Sequence, residues 1–454
     1  MNKIKTKRIL FLALVLMSLN AKAQWTAICN SGNGFVDNFE IFNGELYATG
    51  FFNTVCGTTC NYVSKFNGTS WQAVGNGFLH AGHHLKNIDS VLYGVSYQPQ
   101  IDSNWLYKFD GTDFTKLGDG TYLTTAVTGF SQTNNLYNII KYNGNIVVCG
   151  EFDRVGSKNI YGIMQWNGTQ WDSLGSGLSG NITGTAPVMY PHDLCIFGTD
   201  LIVSGNFRLA GGQTVNGVAR WDGTQWHAMG QGFNSVAYAV CEFDGELYAG
   251  GDFTMSGTNQ LQYIAKWNGT DWIDPGFSLF YNSPSNYSFI HTLKVMNDRL
   301  YISGGFDRAL FGLDTMQCQA VVAYDGISID TLGGGTIGNE VEALAIYNGL
   351  LYAGGGPNNN SSYIANYSLS TDIKDDTKLS KLISIFPNPT TGGFSISQPT
   401  EVAEICIRDI YGKMIYKTRT TQKITDFEHD INGVYIVYVE TKEGTSVQKL
   451  IINR

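Results

Sequence analysis

A two-residue turn signal recurs through most of this 454-residue chain and constrains its fold more than any other feature. Asn-Gly or Asp-Gly pairs stand between short apolar runs, as in the stretch VCEFDGELYAGGDFTMSGTNQLQYIAKWNGTDW from Val240 to Trp272. Such pairs favour type I′ turns, because both central residues of that turn need a positive φ. The stretch therefore predicts four short antiparallel strands joined by hairpins.

Imperfect copies of this stretch fill the chain between Gln24 and Thr371. The turn glycines of the second hairpin are 43 to 57 residues apart, a spacing typical of the blades of a kelch-type β-propeller. A single four-stranded sheet cannot bury both of its faces, so neighbouring copies must pack against each other. Seven first hairpins can be aligned, but only six second hairpins. The glycines of the six second hairpins are Gly68, Gly111, Gly168, Gly223, Gly269 and Gly326.

The last copy lacks a fourth strand, and we expect the N-terminal end of the chain to provide it. The segment WTAICNSGNGF, which begins at Trp25, is similar to the segment WQAVGNGF, which begins at Trp71 in the first copy. We therefore predict a seven-bladed β-propeller over residues 24–371, with the N-terminal strand closing the last blade. Such closure leaves only short, protected strand edges.

Composition supports a folded all-β chain and excludes one class of partner. The sequence has 54 glycines, 13% aromatic residues and only 15% charged residues, which suits short strands and tight turns and argues against disorder. The formal net charge is −9, so the chain has no basic surface on the scale that nucleic acid binding requires.

The first residues are typical of a secretory signal peptide. An apolar run that extends to Leu19 follows four basic residues, Lys3, Lys5, Lys7 and Arg8. The segment Ala-Lys-Ala at 21–23 provides a cleavage site. We assign residues 1–23 to the signal peptide. The apolar run is too short for a stable membrane anchor, and no later run reaches the roughly 18 apolar residues of a spanning helix. We therefore expect no membrane span.

Eight cysteines raise the question of disulfides, which an exported chain can form. Cys56 and Cys60 stand four apart in a loop of the first copy, where a bridge would pin the loop; free thiols there are equally compatible with the sequence. The bridged form is the prediction tested below. Cys195 and Cys241 occupy the same place in successive copies, and Cys149 lies in a strand of another. We predict that these three are buried free thiols.

Catalytic and metal-binding motifs are sparse. Metal sites need two or three histidines that converge with a carboxylate. We interpret the cluster LHAGHHL as a solvated loop and the remaining internal histidines as isolated. No nucleophile elbow, zinc-protease helix, P-loop or EF-hand pattern is present. We assign no catalytic, cofactor-binding or metal-binding residue and expect no cofactor. The histidines considered are His80, His83 and His84 in the cluster, and His192, His227 and His291 elsewhere.

The repeats resemble the kelch-like propellers, a group that includes the central domain of galactose oxidase. The resemblance lies in a glycine pair that ends the second strand, as at Gly250-Gly251, an aromatic residue in the third strand and a tryptophan that opens the fourth. It implies an architecture and no activity. The sialidase Asp-box needs an aspartate two residues before the turn glycine, where this chain has Phe66, Trp166 or Trp221.

The chain changes character after a charged stretch, which we interpret as a linker at residues 372–381. Residues 382–454 contain no tryptophan and show period-two alternation, for example from Val434 to Val439, which predicts a small Ig-like β-sandwich. The segments FPNPTTG, IRDIYGK, GVYIV and KLII follow in order, beginning at Phe386, Ile407, Gly433 and Lys449. They resemble the type A C-terminal sorting domain of the type IX secretion system of Bacteroidetes.

This resemblance implies a route and a partner. The protein would cross the inner membrane by its signal peptide, fold in the periplasm and cross the outer membrane through the type IX machinery, which reads the tail and usually removes it. The destination would be the medium or the outer face of the outer membrane.

Two functions are compatible with an exported propeller. The first is a binding module for a glycan or a protein, with the variable segments between second and third strands as recognition loops on a rigid scaffold. The alternative is a glycan- or protein-degrading enzyme whose carboxylates meet at one mouth of the ring. Because no catalytic motif stands out, we favour the binding module. The segments concerned run from Phe51 to Asn61, Phe207 to Val215, Phe253 to Gln262 and Phe306 to Gln319.

Overall fold

A computed structural model describes most of the chain, and the predicted signal peptide (1–23) and linker (372–381) lie outside the described residues. Within them the chain is all-β, as predicted, with one short 3-10 turn at Leu332–Gly334. No helix in these ranges is long and apolar enough to cross a membrane. The described residues are 25–29, 34–98, 106–117, 123–124, 134–182, 189–283, 287–312, 314–334, 340–356, 363–369, 384–391, 393–397, 403–409, 414–427, 433–441 and 444–452.

Most of the described strands before the tail form seven four-stranded antiparallel units, numbered 1 to 7 in chain order of their first strands, and the others form small sheets of two or three strands. A short pairing also joins units 2 and 3. The first strands are Gly34–Phe42, Gly82–Ile88, Asn134–Tyr142, Tyr190–Phe197, Ala237–Phe243, Phe289–Met296 and Ala343–Tyr347. The second strands are Glu45–Phe52, Val91–Gln98, Asn145–Gly150, Asp200–Asn206, Glu246–Gly251, Arg299–Gly305 and Leu350–Gly355.

The third and fourth strands complete each unit toward its outer edge. The third strands are Val63–Phe66, Leu106–Phe109, Ile163–Trp166, Val218–Trp221, Ile264–Trp267, Val321–Tyr324 and Tyr363–Ser368. The fourth strands are Trp71–Ala73, Phe114–Lys116, Trp171–Ser173, Trp226–Ala228, Trp272–Ile273 and Ile329–Asp330, with Trp25–Cys29 in unit 7.

Contacts between first strands arrange the units in a propeller-like fold. Each first strand contacts the first strand of the next unit, and that of unit 7 contacts that of unit 1. The apolar side chains between units are buried, including Leu46, Val203, Leu247 and Leu351. The first strands of these units line one cavity, the central channel, and the hydrophobic core lies between neighbouring sheets.

The N-terminal strand Trp25–Cys29 pairs antiparallel with Tyr363–Ser368. The Trp25 Nε1 donates a hydrogen bond to the Leu332 carbonyl at 3.1 Å. In unit 4, the Trp226 Nε1 donates to the Leu174 carbonyl at 2.9 Å. Both carbonyls follow the fourth strand of the preceding unit, so Trp25 has the same role in unit 7 that Trp226 has in unit 4.

The two kinds of hairpin use different turns, and the sequence prediction was correct for only one of them. In six of the seven first hairpins both turn residues have positive φ, for example Asn43 at 50° and Gly44 at 77°, as a type I′ turn requires; in unit 4 only Gly198 has it. In the second hairpins only the glycine does, for example Gly68 at 98°. There the Asn67 Oδ1 accepts the backbone N–H groups of Thr69 and Ser70, at 2.9 and 3.0 Å. The aspartate or asparagine thus builds a longer turn with its side chain.

The segments between second and third strands form short hairpins in at least four units and are held against the fourth strand. Thr58 Oγ1 donates to the Trp71 carbonyl at 3.0 Å, and Asn259 Nδ2 donates to the Trp272 carbonyl at 2.9 Å. Lys158 and Gln213 make the equivalent bonds in units 3 and 4. In these four units the segments fold back on the outer edge of their own sheet, and none of their residues lines the central cavity.

The thiols differ from the predicted pairing in one respect. Cys60 is a buried free thiol whereas Cys56 is disulfide-bonded, so the predicted bridge between these two residues is wrong. Cys195 and Cys241 are free, as predicted, and Cys149 is free and fully buried. Cys195 and Cys241 are only partly buried because both line the central channel. Burial nevertheless raises the pKa of the Cys241 thiol to about 12.

The tail forms two sheets of its own with a separate core that includes Phe394, Ile407 and Val437. The first and last sequence landmarks are bonded together, since the Asn388 Oδ1 accepts the Ile451 N–H at 2.9 Å. One sheet contains Ser384–Phe386, Phe394–Ser397 and Ile424–Phe427; the other contains Ala403–Asp409, Met414–Thr420, Gly433–Thr441 and Gly444–Ile452.

Candidate functional site

A β-bulge interrupts the first strand of units 1 to 6, and one residue at each bulge has no partner in the ladder. In unit 7 the residue before Ala343 holds the same place, because Ala343 pairs with Gly354. Bulges turn a side chain away from the regular alternation of a strand. The seven residues, which we call the belt, are Asp37, His83, Tyr137, His192, Tyr238, His291 and Glu342.

The belt side chains follow one another around the channel. Asp37 Oδ2 lies 3.2 Å from His83 Nδ1. The rings of His83 and Tyr137 are 5.3 Å apart, those of Tyr137 and His192 4.7 Å, and those of His192 and Tyr238 5.0 Å, between centroids. Tyr238 stacks on His291 at 5.9 Å. At the other end of the series, Glu342 is hydrogen-bonded to the Asp37 carboxyl.

All seven belt residues line one cavity of about 610 Å³ that follows the channel. The cavity lies deep within the protein, yet each belt side chain remains partly exposed to it. Small-molecule sites are typically about 300–1,000 Å³ and combine aromatic surface with a few polar groups. The channel has this size and this lining.

Burial controls the charge of the belt. It lowers the pKa of His192 to about 3, and it also lowers the pKa of His291, so both imidazoles are neutral at neutral pH. Burial, together with the nearby carboxylates of Asp37 and Glu340, raises the pKa of Glu342 well above its usual range. Glu342 therefore holds a proton that it shares with Asp37, as carboxyl pairs in contact do.

Polar side chains next to the belt link one unit to the next. Asn38 Oδ1 accepts the Leu85 N–H at 3.1 Å, and Asp193 Oδ2 accepts the Val240 N–H at 2.9 Å. Deeper in the channel, Lys294 Nζ donates to the carbonyls of Phe39 and Leu344, at 3.0 and 2.9 Å. Burial lowers the pKa of Lys294 to about 8. These bonds hold the first strands in register around the belt.

The structure corrects the interpretation of the histidines. His83 and His84 lie in the first strand of unit 2 and line the channel, so the prediction that they belong to a solvated loop was wrong. His192 and His291 are not isolated but belong to the same belt. His227 stays apart and pairs with Asp222 at 2.6 Å, and His80 lies in the segment before unit 2.

A signal for the belt exists in the sequence. Each belt residue stands six positions before the first residue of its hairpin turn, for example Asp37 before Asn43, His192 before Gly198 and Glu342 before Asn348. Alignment of the seven first hairpins on their turns brings all seven residues into one column. The column has no common residue type, and so motif searches do not detect it.

Other chemistry around the site is limited. Among the described residues, no three histidine, cysteine, aspartate or glutamate side chains are placed to hold a metal ion. A second cavity of about 790 Å³ lies among the hairpin turns of units 4 and 5. Its lining includes Arg220, already paired with Asp200 at 2.5 Å. The central channel, where all seven units meet, is the better candidate.

Replacing Glu342 with glutamine is expected to stabilise the fold at neutral pH. Between the ordinary glutamate pKa of about 4.3 and the raised value, the folded chain keeps a proton that the unfolded chain releases. Stability therefore falls as pH rises through this window. Glutamine cannot ionise, so the variant does not lose stability as the pH rises. Melting temperatures of E342Q and the native chain should separate toward pH 7 and converge below about pH 4.

Glu45→Gln is a suitable control, because Glu45 is partly exposed and pairs with Lys65 at 2.8 Å. Such a surface pair contributes about 0–1 kcal/mol. We expect a small shift in melting temperature with no widening toward neutral pH. Equal melting temperatures of E342Q and the native chain at pH 7 would contradict a protonated Glu342.

Known proteins are similar to this chain in its tail and, at low identity, over most of its length. Residues 384–453 match the secretion system C-terminal sorting domain. No curated protein matches the chain. Among solved structures, PorZ, an essential surface component of the type-IX secretion system of Porphyromonas gingivalis, is 16% identical, with a TM-score of 0.43, and the match covers 93% of this chain and 60% of PorZ.

Two further structures are similar at low identity. The extracellular domain of BT4673 from B. thetaiotaomicron is 12% identical, with a TM-score of 0.43, over 95% of this chain and 58% of that domain. Trypanosoma rangeli sialidase is 10% identical, with a TM-score of 0.34, over 92% of this chain and 84% of the sialidase. This chain spans less than two thirds of PorZ and of the BT4673 domain.

The tail is the part of the chain that these comparisons identify. Its landmarks, its two sheets and the match over residues 384–453 agree, and they confirm the interpretation made from the sequence. Residues 384–453 are a type IX secretion system C-terminal sorting domain, and this domain indicates export to the cell surface or the medium.

Proposed function

We propose that this protein is an exported β-propeller that binds a glycan or protein ligand at the belt end of its central channel. The observation that carries the proposal is the convergence of seven side chains, one from each unit, on a single cavity of about 610 Å³. Five of the seven carry aromatic or imidazole rings and two carry carboxyl groups. This mixture of flat and hydrogen-bonding surfaces suits reversible recognition.

The proposed scaffold is a seven-bladed, kelch-like propeller over residues 24–371, with Trp25–Cys29 as the outer strand of the last blade. The pairing of that strand with Tyr363–Ser368 supports it, as do the contacts between successive first strands. We further propose that the tail, residues 382–454, is an Ig-like sandwich joined by a linker at 372–381. Its two sheets around one core support this assignment.

The proposed route begins with removal of the signal peptide, residues 1–23, at the inner membrane of a Bacteroidetes bacterium. The propeller then folds in the periplasm, and the type IX machinery recognises the tail and exports the chain to the outer face of the outer membrane or the medium. The match of residues 384–453 supports the machinery as a partner. We propose no nucleic acid partner, which is consistent with the formal charge of −9.

The belt offers one carboxyl pair to the alternative function, a degradative enzyme: Asp37 and Glu342. Glycoside hydrolysis needs two carboxyl groups about 5–9.5 Å apart, so that a sugar carbon or a water lies between them. Asp37 and Glu342 are in direct hydrogen-bond contact and leave no room for either. This pair therefore favours binding over glycoside hydrolysis.

The test is to screen the full chain on glycan and protein arrays, with hydrolysis of each ligand measured in parallel. We expect at least one class of ligand to bind, no hydrolysis, and loss of binding in Tyr137→Ala, which removes a belt ring between His83 and His192. Glu45→Gln, outside the cavity lining, should bind as the native chain does. Turnover of a bound ligand would favour the enzyme, and binding unaffected by Tyr137→Ala would place the site elsewhere.

A further inference from the structure

We propose that the belt, together with an aromatic wall beside it, binds the end of a neutral oligosaccharide. The wall consists of Tyr238, which belongs to the belt, followed by Phe289 and Tyr287 toward the rim. This inference rests on the proposed binding function and names its ligand class.

The wall extends from Tyr238, which lines the cavity, to Phe289 and Tyr287, which lie outside the lining. The rings of Tyr238 and Phe289 are 6.4 Å apart, and those of Phe289 and Tyr287 are 6.3 Å apart. Tyr287 is 64% exposed, and its hydroxyl donates to Asp252 Oδ2 at 2.8 Å, which orients the ring. Aromatic rings with an apolar face and a polar tip suit ligands that have both kinds of surface. A pyranose ring has apolar C–H faces and a polar edge.

The belt has the hydrogen-bonding capacity that hydroxyl groups need. A neutral imidazole has one donor and one acceptor, and so do a tyrosine hydroxyl and a protonated carboxyl group. His192, Tyr137 and the protonated Glu342 each meet this description. A sugar hydroxyl also donates and accepts, so each belt group can pair with it in both directions.

A buried acceptor beside the belt lacks a partner. Asn135 is 8% exposed, and its Nδ2 donates to Tyr137 Oη at 3.0 Å and to Glu151 Oε2 at 3.3 Å. Its Oδ1 is buried and makes no hydrogen bond. Buried polar atoms are normally paired, and an exception calls for an explanation. Asn135 does not itself line the cavity, but it orients the hydroxyl of Tyr137, which does.

The charges at this level favour a neutral ligand. None of the seven belt residues is a lysine or an arginine, so an anionic sugar would have no lysine or arginine of the belt beside the carboxyl groups of Asp37 and Glu342. A cationic ligand would gain little, because Asp37 already pairs with His83 at 3.2 Å and Glu342 is protonated. Lys86 and Lys294 also line the cavity, but each lies three residues further along its strand.

The experiment is calorimetric titration of the full chain with malto-, cello- and manno-oligosaccharides of two to six residues and with their monosaccharides. The same oligosaccharides oxidised to a uronic acid at the non-reducing end provide the charged comparison. We expect at least one neutral series to bind, with the oxidised form at least about tenfold weaker, the equivalent of 1.4 kcal/mol.

Variants separate the two parts of the site. Tyr287→Ala should lower the affinity for the oligosaccharide about tenfold and leave the affinity for the monosaccharide unchanged, since the lost ring contacts only the second sugar. Tyr287→Phe, which keeps the ring, should retain most of the affinity. Tyr238→Ala should weaken both ligands. Tyr161→Ala removes a tyrosine that is 40% exposed and outside the cavity lining, and it should change neither. Thermal melts confirm that each variant is folded.

Three results would overturn the inference: tighter binding of the oxidised oligosaccharides, no binding of any neutral series, or equal loss of both ligands in Tyr287→Ala. A second outcome is that no sugar binds, but a protein from the array binds and Tyr238→Ala abolishes that binding. This outcome would reject the saccharide ligand and leave the proposed binding function in place. If neither Tyr137→Ala nor Tyr238→Ala weakens the binding of the array ligands, both the saccharide inference and the proposed binding site are rejected.

Discussion

Replacing Trp25 with alanine is expected to lower the free energy of unfolding by about 3–5 kcal/mol, the usual range for removing a buried tryptophan. The side chain is 6% exposed, its Nε1 is bonded to the Leu332 carbonyl, and its ring lies 5.3 Å from that of Tyr367. It belongs to a cluster with residues of units 6 and 7. Deleting residues 24–29 should have a larger effect, because it also exposes the edge of Tyr363–Ser368 and promotes aggregation.

Thermal and denaturant melts of the chain without its signal peptide provide the measurement. Thr26→Ala is the matched control, because Thr26 lies in the same strand with an exposed side chain. We expect it to change the free energy of unfolding by less than about 0.5 kcal/mol. A deletion of residues 24–29 that melts at the native temperature would show that the strand is a dispensable arm.

Cutting the chain after Ser370 is expected to abolish export while the propeller still folds. The tail has its own core, built from residues such as Ile396, Ile407 and Leu450, and the propeller strands lie before the cut. The truncated protein should therefore accumulate, folded, in the periplasm. Fractionation of the producing bacterium, with a melting curve of the purified periplasmic protein, measures both parts of this result.

A single substitution in the tail should reproduce the truncation. Tyr435 is 8% exposed in the tail core, so Tyr435→Asp places a carboxylate among apolar side chains and should unfold the domain. Ile424→Ala is the control, since Ile424 is 52% exposed. Normal surface or medium levels of the truncated chain would show that the tail is not the export signal.

Hairpin chemistry made the propeller units predictable, because it is local. The strands expected around Phe243, Leu247, Trp267 and Trp272 appear as Ala237–Phe243, Glu246–Gly251, Ile264–Trp267 and Trp272–Ile273. The type of the second turn was not predictable from the Asn-Gly pair alone. There a side-chain acceptor competes with the type I′ backbone, and the bonds to Asn67 show that the side chain prevails.

The belt could not be recognised by residue type, for a physical reason. Seven residues that are far apart in sequence meet only because the first strands surround one channel, so no short motif contains two of them. His83 also seemed to share a loop with His80, whereas strand pairing begins at Gly82 and separates the two. The prediction of the disulfide was wrong for the same reason, because the four-residue spacing of Cys56 and Cys60 does not determine the tertiary position of each thiol.

The bulge that presents the belt residue of units 1 to 6 has an evolutionary consequence. A bulged residue has no ladder partner, and its side chain faces the cavity instead of the core between sheets. Its replacement therefore alters the lining of the channel at little cost in folding. Selection can act on six such positions independently, one in each of units 1 to 6. A single ancestral scaffold could in this way diversify into receptors for different ligands while its sheets, turns and export signal remain unchanged.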